Sequence, residues 1–239
     1  MIRLLSWNVF RNRRPATIER SLQGLVQKYH PHVVFLQEAP QGEKGSPWEI
    51  DALNGFHRLY APVFEILVQS HRFGFDSTGQ LTLSCFPFES TETYILPAVP
   101  RFLERKAGPV ARVVRRVPYA RIRLPSGRTL GLHNVHLENR TLPSGRHLQV
   151  RHLLEVVDQK DDDVAVVGGD LNTFFGRNLE ACLRLFARRG FTRLIGMARI
   201  RGLPALDYVL VRGALRTEAV PVRATGSDHY PVLVDIDPG

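Results

Sequence analysis

The stretch Asp163-Val164-Ala165-Val166-Val167-Gly168-Gly169-Asp170-Leu171-Asn172 decides the reading of this chain. A continuous apolar run this short, closed by two glycines, predicts a strand covered on both faces over Asp163–Val167. The carboxylate and amide that follow stand at its end, where polar groups lose stability unless they are bonded or bind something. A second run of the same kind, Val33-Val34-Phe35-Leu36, is followed at once by Gln37-Glu38.

Working outward, Ile2 to Val9 reads as a first strand, and Pro15 suits the first turn of a helix. Ile18, Leu22, Leu25, Val26 and Tyr29 recur at helical spacing, and Pro31 ends that helix, giving strand, helix, strand. Gln41 to Pro47 reads as a loop, followed by strand candidates at Phe56–Tyr60, Val63–Val68, Gln80–Phe86 and Thr91–Leu96. A second loop spans Pro97 to Pro109. Tyr119–Leu124 and Thr129–His136 form a candidate hairpin across Pro125-Ser126-Gly127-Arg128.

A helix over 145–158 would bury Val150, Leu153, Leu154 and Val157. A third, with Asn178 as N-cap and a stop before Gly190, would bury Leu179, Cys182, Leu183 and Phe186. Asp207–Val211 and Tyr230–Ile236 complete the strands. Few helices among many strands predict an α/β fold of two packed sheets with helices outside, as one domain over residues 1–239.

Composition narrows the partners. The chain carries 32 Lys+Arg against 23 Asp+Glu, a formal net charge of +9, which favours a polyanion or a surface tuned for solubility. No apolar run approaches the roughly 20 residues that span a bilayer, and the N-terminal one is too short for a signal peptide, so no stable membrane insertion is expected. Cys85 and Cys182, the only cysteines, read as two buried free thiols in a reducing, cytoplasmic compartment.

Five polar clusters interrupt the apolar strands near their ends: Trp7-Asn8, Gln37-Glu38, Asn134-Val135-His136, Gly169-Asp170-Leu171-Asn172 and Ser227-Asp228-His229. Each alone has a structural explanation as a turn or cap. Together they supply what phosphodiester hydrolysis needs. Glu38 and Asp228 are hard oxygen ligands suited to Mg2+. Asp170 can orient or deprotonate water, and Asn8, Asn172, His136 and His229 can hold the developing charge. Asp207 is a candidate to fix a histidine tautomer.

These segments, with Leu206-Asp207-Tyr208 and Gly226-Ser227-Asp228-His229-Tyr230-Pro231-Val232, resemble the successive signature motifs of the endonuclease/exonuclease/phosphatase superfamily, in its order from residue 6 to 232. The resemblance implies a four-layer αββα sandwich with two mixed sheets and a site at one edge. It implies Glu38 as the principal Mg2+ ligand, with Mn2+ as a substitute, supported by Asn8 and Asp228. Asp170 would align or activate water. Asn172 would bind the scissile phosphate, which His136 would also contact. His229, paired with Asp207, would stabilise the developing charge. Abasic-site endonucleases of this family carry an acidic residue two positions after the first Asn, where this chain has Phe10.

Nine Lys/Arg positions lie between Arg101 and Arg128 against one acid, Glu104. Arg112, Arg115 and Arg116 are candidates for a nucleic-acid track, with a solvated loop as the alternative. Trp7 and Phe10 read as packing residues, and Gln149 and Arg151 as anchors of their helix to the active-site side. A Mg2+-dependent nuclease or nucleic-acid phosphodiesterase is therefore the leading expectation. The alternatives are an enzyme acting on a phospholipid headgroup or phosphorylated small molecule, and a catalytically silent basic nucleic-acid-binding module.

Overall fold

The computed structural model describes residues 1–9, 15–40, 51–62, 64–65, 78–99, 113–173, 176–195 and 206–239. In chain order the elements begin β1 (Ile2–Asn8), α1 (Pro15–Tyr29), β2 (Val33–Pro40), β3 (His57–Pro62), β4 (Phe64–Glu65), β5 (Thr78–Ser84), β6 (Phe88–Ile95) and β7 (Val113–Val114). They continue β8 (Arg116–Arg123), β9 (Thr129–His136), α2 (Pro143–Asp158), β10 (Val164–Asp170), α3 (Gly176–Ala187), β11 (Thr192–Ile195), β12 (Asp207–Arg212), β13 (Arg216–Val220) and β14 (Val232–Asp237).

Alternation along each strand builds the layers. In β1, Ile2 and Leu4 join Val33 and Phe35 of β2 in a cluster with Leu130, Leu132, Val164 and Val166 of the second sheet. The intervening Leu5 and Trp7, with Val34 and Leu36, pack instead against Ile18, Leu22 and Leu25 of α1. On the second sheet, Val135 and Val167 turn outward to α2 and α3, meeting Val150, Leu153, Leu183 and Phe186. The order is helix, sheet, sheet, helix, the predicted sandwich. The two sheets run β13-β14-β1-β2-β5-β3 and β11-β12-β10-β9-β8-β6, and β4 pairs with β7 in a small third one.

Each large sheet holds one parallel pair among antiparallel neighbours. β1 runs parallel to β2 and β10 runs parallel to β9, each pair joined through a helix. Parallel strands end at the same edge, so Asn8, Glu38, His136 and Asp170 lie together at the carboxyl ends of four strands. That edge is where open α/β sheets leave a crevice for ligands. Gly168 allows the sheets to close there, since a Cβ on it would stand 2.9 Å from the Phe35 ring; Gly169 lets β10 lie close to its neighbour β9, since a Cβ on it would stand 1.9 Å from the Val135 carbonyl oxygen.

Several expectations shift. Helix α3 begins at Gly176, so Asn178 lies inside its first turn and is not the N-cap. The α2 helix starts at Pro143, where a proline loses no intrahelical bond. Strand β13 gives no strand signal in the sequence because its residues are mostly exposed and show no apolar alternation. Strand β11 is short and, among the described residues, pairs with β12 alone, at the sheet edge. Cys182 is buried as expected, but Cys85 is exposed, because the chain bends away from the sheet immediately after β5. Of the expected strand Val63–Val68, β4 is the described part. The Gln41–Pro47 loop, most of Pro97–Pro109, Phe10 and Arg112 lie outside the described residues. Among the described residues, no helix is long and apolar enough to cross a membrane.

Candidate active site

Asn8 ends β1 completely buried and donates through Nδ2 to Asp170 Oδ2 at 3.0 Å and to Glu38 Oε1 at 3.4 Å. One amide from the first sheet thus ties together two carboxylates, one from each sheet. Glu38 reaches this point through a bulge. Leu36 pairs with Leu81 and Ala39 with Gly79, so Gln37 and Glu38 together stand opposite Gln80 alone. Glu38 takes φ 54°, a left-handed conformation costly for a side-chain-bearing residue and characteristic of functional sites.

From the second sheet, His136 places Nε2 3.7 Å from Asp170 Oδ2 and 3.8 Å from Glu38 Oε1. Asn172, also left-handed at φ 49°, donates its backbone N–H to Asp170 Oδ1 at 2.8 Å. One Nδ2 hydrogen of Asn172 goes to the Leu137 carbonyl at 2.9 Å, leaving the other donor of that amide.

The turn before β14 delivers the last group. Ser227 Oγ donates to the Asn8 carbonyl at 2.7 Å and accepts the His229 N–H at 3.1 Å. Trp7 Nε1 donates to the His229 carbonyl at 3.0 Å. His229 Nδ1 lies 2.7 Å from Asp207 Oδ2, and its Nε2 lies 3.9 Å from both Asp170 Oδ2 and Asp228 Oδ1. Asp207 sits beside Asp170 because β12 pairs with β10 in that register.

Eight of the site residues expected from sequence therefore meet at one edge: Asn8, Glu38, His136, Asp170, Asn172, Asp207, Asp228 and His229. The track residues do not behave as a group. Arg115 is buried, with Nε 3.3 Å from Glu138 Oε2, and Arg116 is partly buried. Glu138 is a hub two residues beyond His136. Its N–H donates to Gln149 Oε1 at 3.0 Å, and Oε1 accepts the Arg140 N–H at 3.0 Å. Gln149 also donates to the Pro97 carbonyl at 3.2 Å, so it does anchor α2 to this side, whereas Arg151 is exposed. Sequence reasoning left Ser227 without a role and gave Trp7 only packing. Their use of a hydroxyl and an indole N–H on the backbone of the His229 turn carries no sequence signal of its own.

The electrostatics follow from burial. Loss of water raises the Asp170 carboxyl well above its usual range, and the Asp207 charge adds to this against His229, Asn172 and Asn8. Burial likewise raises Glu38, opposed by the Asn8 hydrogen bond and by Arg115. Burial, with Arg115 and His229 nearby, pushes His136 far down and keeps it neutral. Four carboxylates therefore gather where one histidine is neutral and the nearby arginine is engaged by Glu138. Such a set fits a divalent cation. Asp170, Asp207 and His229 offer ligand atoms within 4.8 Å of one another. The short His229–Asp207 contact already uses two of those atoms, so these three residues read as a hydrogen-bonded pair beside Asp170 and not as a ready ligand set.

The comparisons agree with this geometry. A sequence profile described as "Endonuclease/Exonuclease/phosphatase family" matches residues 5–229. Among solved structures, an endonuclease/exonuclease/phosphatase from Beutenbergia cavernae DSM 12333 is similar at TM-score 0.74 and 19% identity, over 99% of this chain and 71% of that one. The human Nocturnin catalytic domain with bound sulfate matches at TM-score 0.71 and 15% identity, over 98% and 93% of the two chains. A truncated TDP2 from Caenorhabditis elegans matches at TM-score 0.67 and 16% identity, over 99% and 97%. The chain belongs to the endonuclease/exonuclease/phosphatase family, a family of divalent-metal-dependent phosphoesterases.

Proposed function

We propose that this protein is a Mg2+-dependent phosphodiester hydrolase acting on nucleic acid. The observation that carries the reading is the shared contact of Asn8 Nδ2 with Asp170 and Glu38, which joins the two sheets at a single reaction point. Glu38, Asp228 and the Asn8 amide oxygen would hold the ion, which when bound neutralises phosphoryl oxygens as a Lewis acid.

The chain's own groups divide the remaining work. Asp170 Oδ2 faces both His136 Nε2 and His229 Nε2, so it orients a water between them and accepts its proton. Its raised proton affinity makes it a stronger base than an ordinary carboxylate. His229, with Nδ1–H on Asp207, presents Nε2 to the phosphate. Once protonated, it donates to the oxygen on which charge develops. His136 and the free Asn172 donor bind the non-bridging oxygens. The net charge of +9 favours a polyanionic substrate over a small phosphorylated one.

The test is hydrolysis of bis-p-nitrophenyl phosphate, followed by a panel of plasmid, single-stranded DNA, RNA, sphingomyelin and inositol phosphates. Turnover with Mg2+ or Mn2+, its loss in EDTA, and a kcat lowered by about 10²-fold in Asp170→Asn are expected. Full activity in Asp170→Asn, or in EDTA, would remove the mechanism. Turnover of sphingomyelin or inositol phosphates without cleavage of nucleic acid would replace the substrate.

A further inference from the structure

Directly behind the reaction point, the space between the sheets turns polar. Ser6, Gln37, Gln80, Thr82 and Asn134 are all completely buried there. Leu81 and Leu83 of β5 pack toward α1, so alternation aims Gln80 and Thr82 at the opposite sheet. Asn134, from β9, crosses the gap and donates to the carbonyls of Leu36 and Leu81 at 3.2 and 3.1 Å, the pair at which the β2 bulge begins. Gln37 Nε2 returns a bond to Asn134 Oδ1 at 2.7 Å. The second sheet thus holds one side of the bulge that aims Glu38.

Gln80 stands alone on the other side. Among the described residues neither Oε1 nor Nε2 of this amide has a protein hydrogen-bond partner, and the Thr82 hydroxyl two residues on and Gln37 Oε1 of the neighbouring strand are also unpaired. A buried, unpaired amide is costly, and an apolar side chain of similar size would fill the same space. Polar groups retained against that cost concentrate at functional sites.

We propose that Gln80 is a positioning residue for Glu38. Its amide, with the Thr82 hydroxyl and Gln37 Oε1, binds water between the sheets, and this hydrated contact fixes the bulge from the β5 side as Asn134 does from β9. Gln80 does not touch substrate. It acts by limiting the positions the Glu38 carboxylate takes, as outer groups orient ligands in metal sites.

The inference rests on the proposed phosphodiesterase reading, and one set of measurements separates the two. Gln80→Met and Thr82→Val replace the orphan polar groups with apolar ones of similar volume, and Gln80→Asn keeps the amide. Melting temperature is measured in metal-free buffer and steady-state kinetics with bis-p-nitrophenyl phosphate. For Gln80→Met the expected result is a Tm unchanged or raised by roughly 2–4 °C. Its kcat falls about 10-fold at little-changed KM. Gln80→Asn recovers most of the kcat, and Thr82→Val shows the same opposition of signs at smaller size. Stability and turnover moving in opposite directions is the signature, since a structural strut would lose both. An active wild type with unchanged kcat in Gln80→Met and Thr82→Val, or a Tm drop of several degrees in both, overturns the role of Gln80. A wild type without turnover overturns the phosphodiesterase reading first.

Discussion

His229 Nδ1 lies 2.7 Å from Asp207 Oδ2, and both residues are almost wholly buried. That separation fixes the ring: Nδ1 carries a hydrogen directed at the carboxylate, and Nε2 is left facing Asp170 and Asp228. The partner comes from the other sheet, so the pair is also a clamp across the sandwich.

His229→Ala is expected to lower kcat by about 10²-fold or more, because the group proposed to meet the developing charge is removed. Asp207→Asn keeps the size but lets the ring take the wrong tautomer, so a smaller loss is expected. The double variant should be no worse than His229→Ala, since Asp207 acts through the ring. Rates for the four proteins on bis-p-nitrophenyl phosphate check this, and additive losses would separate the two residues.

His133 provides a pH prediction away from the chemistry. The ring is fully buried, with Nδ1 3.1 Å from the Tyr94 hydroxyl and its plane against Tyr119. Burial first, then the charges of Lys160 and Arg212, lowers its pKa from 6.5 to about 3. The unfolded chain therefore takes up a proton near pH 6.5 that the folded one refuses until near pH 3. The stability this group contributes is complete above 6.5 and is lost as pH falls through that window, at about 1.4 kcal/mol per pH unit. His133→Gln, which keeps an acceptor for Tyr94, should flatten the acid limb of a urea-denaturation pH series by about one proton. An unchanged limb would show that the ring takes up a proton while folded.

The basic segment divides into two expected behaviours. Arg115 is held in the interior by Glu138, so Arg115→Met should remove the guanidinium that faces a buried carboxylate and lower Tm. Arg112→Ala and Arg116→Ala should each weaken single-stranded DNA binding and reduce its salt slope by roughly one unit. Fluorescence anisotropy over a salt series measures this. Binding no tighter at low salt than at high salt would remove the nucleic-acid track.

Much of this arrangement was legible because the four central strands are buried on both faces. Polar residues at the ends of Ile2–Asn8, Val33–Pro40, Thr129–His136 and Val164–Asp170 stand out against runs of Val, Ile and Leu. What stayed hidden depends on distant partners. Glu38 reads as lying just past its strand, whereas it sits inside β2 at a bulge that only the register with β5 creates. Arg115 reads as one cation among many because Glu138 lies on the neighbouring strand's exit. Strand β13 has no alternation to read, since an edge strand needs none.

The place of β14 between β13 and β1 bears on how the protein is made. A nascent chain can form β1–α1–β2 early and already carries Asn8 and Glu38. The dyad histidine and Asp228 precede the strand that pairs with β1, and both emerge from the ribosome long afterwards. Until residues 232–237 are released, β1 has an open edge and its carboxylate partners lack His229. The candidate site is therefore completed only when the last strand has joined the first sheet.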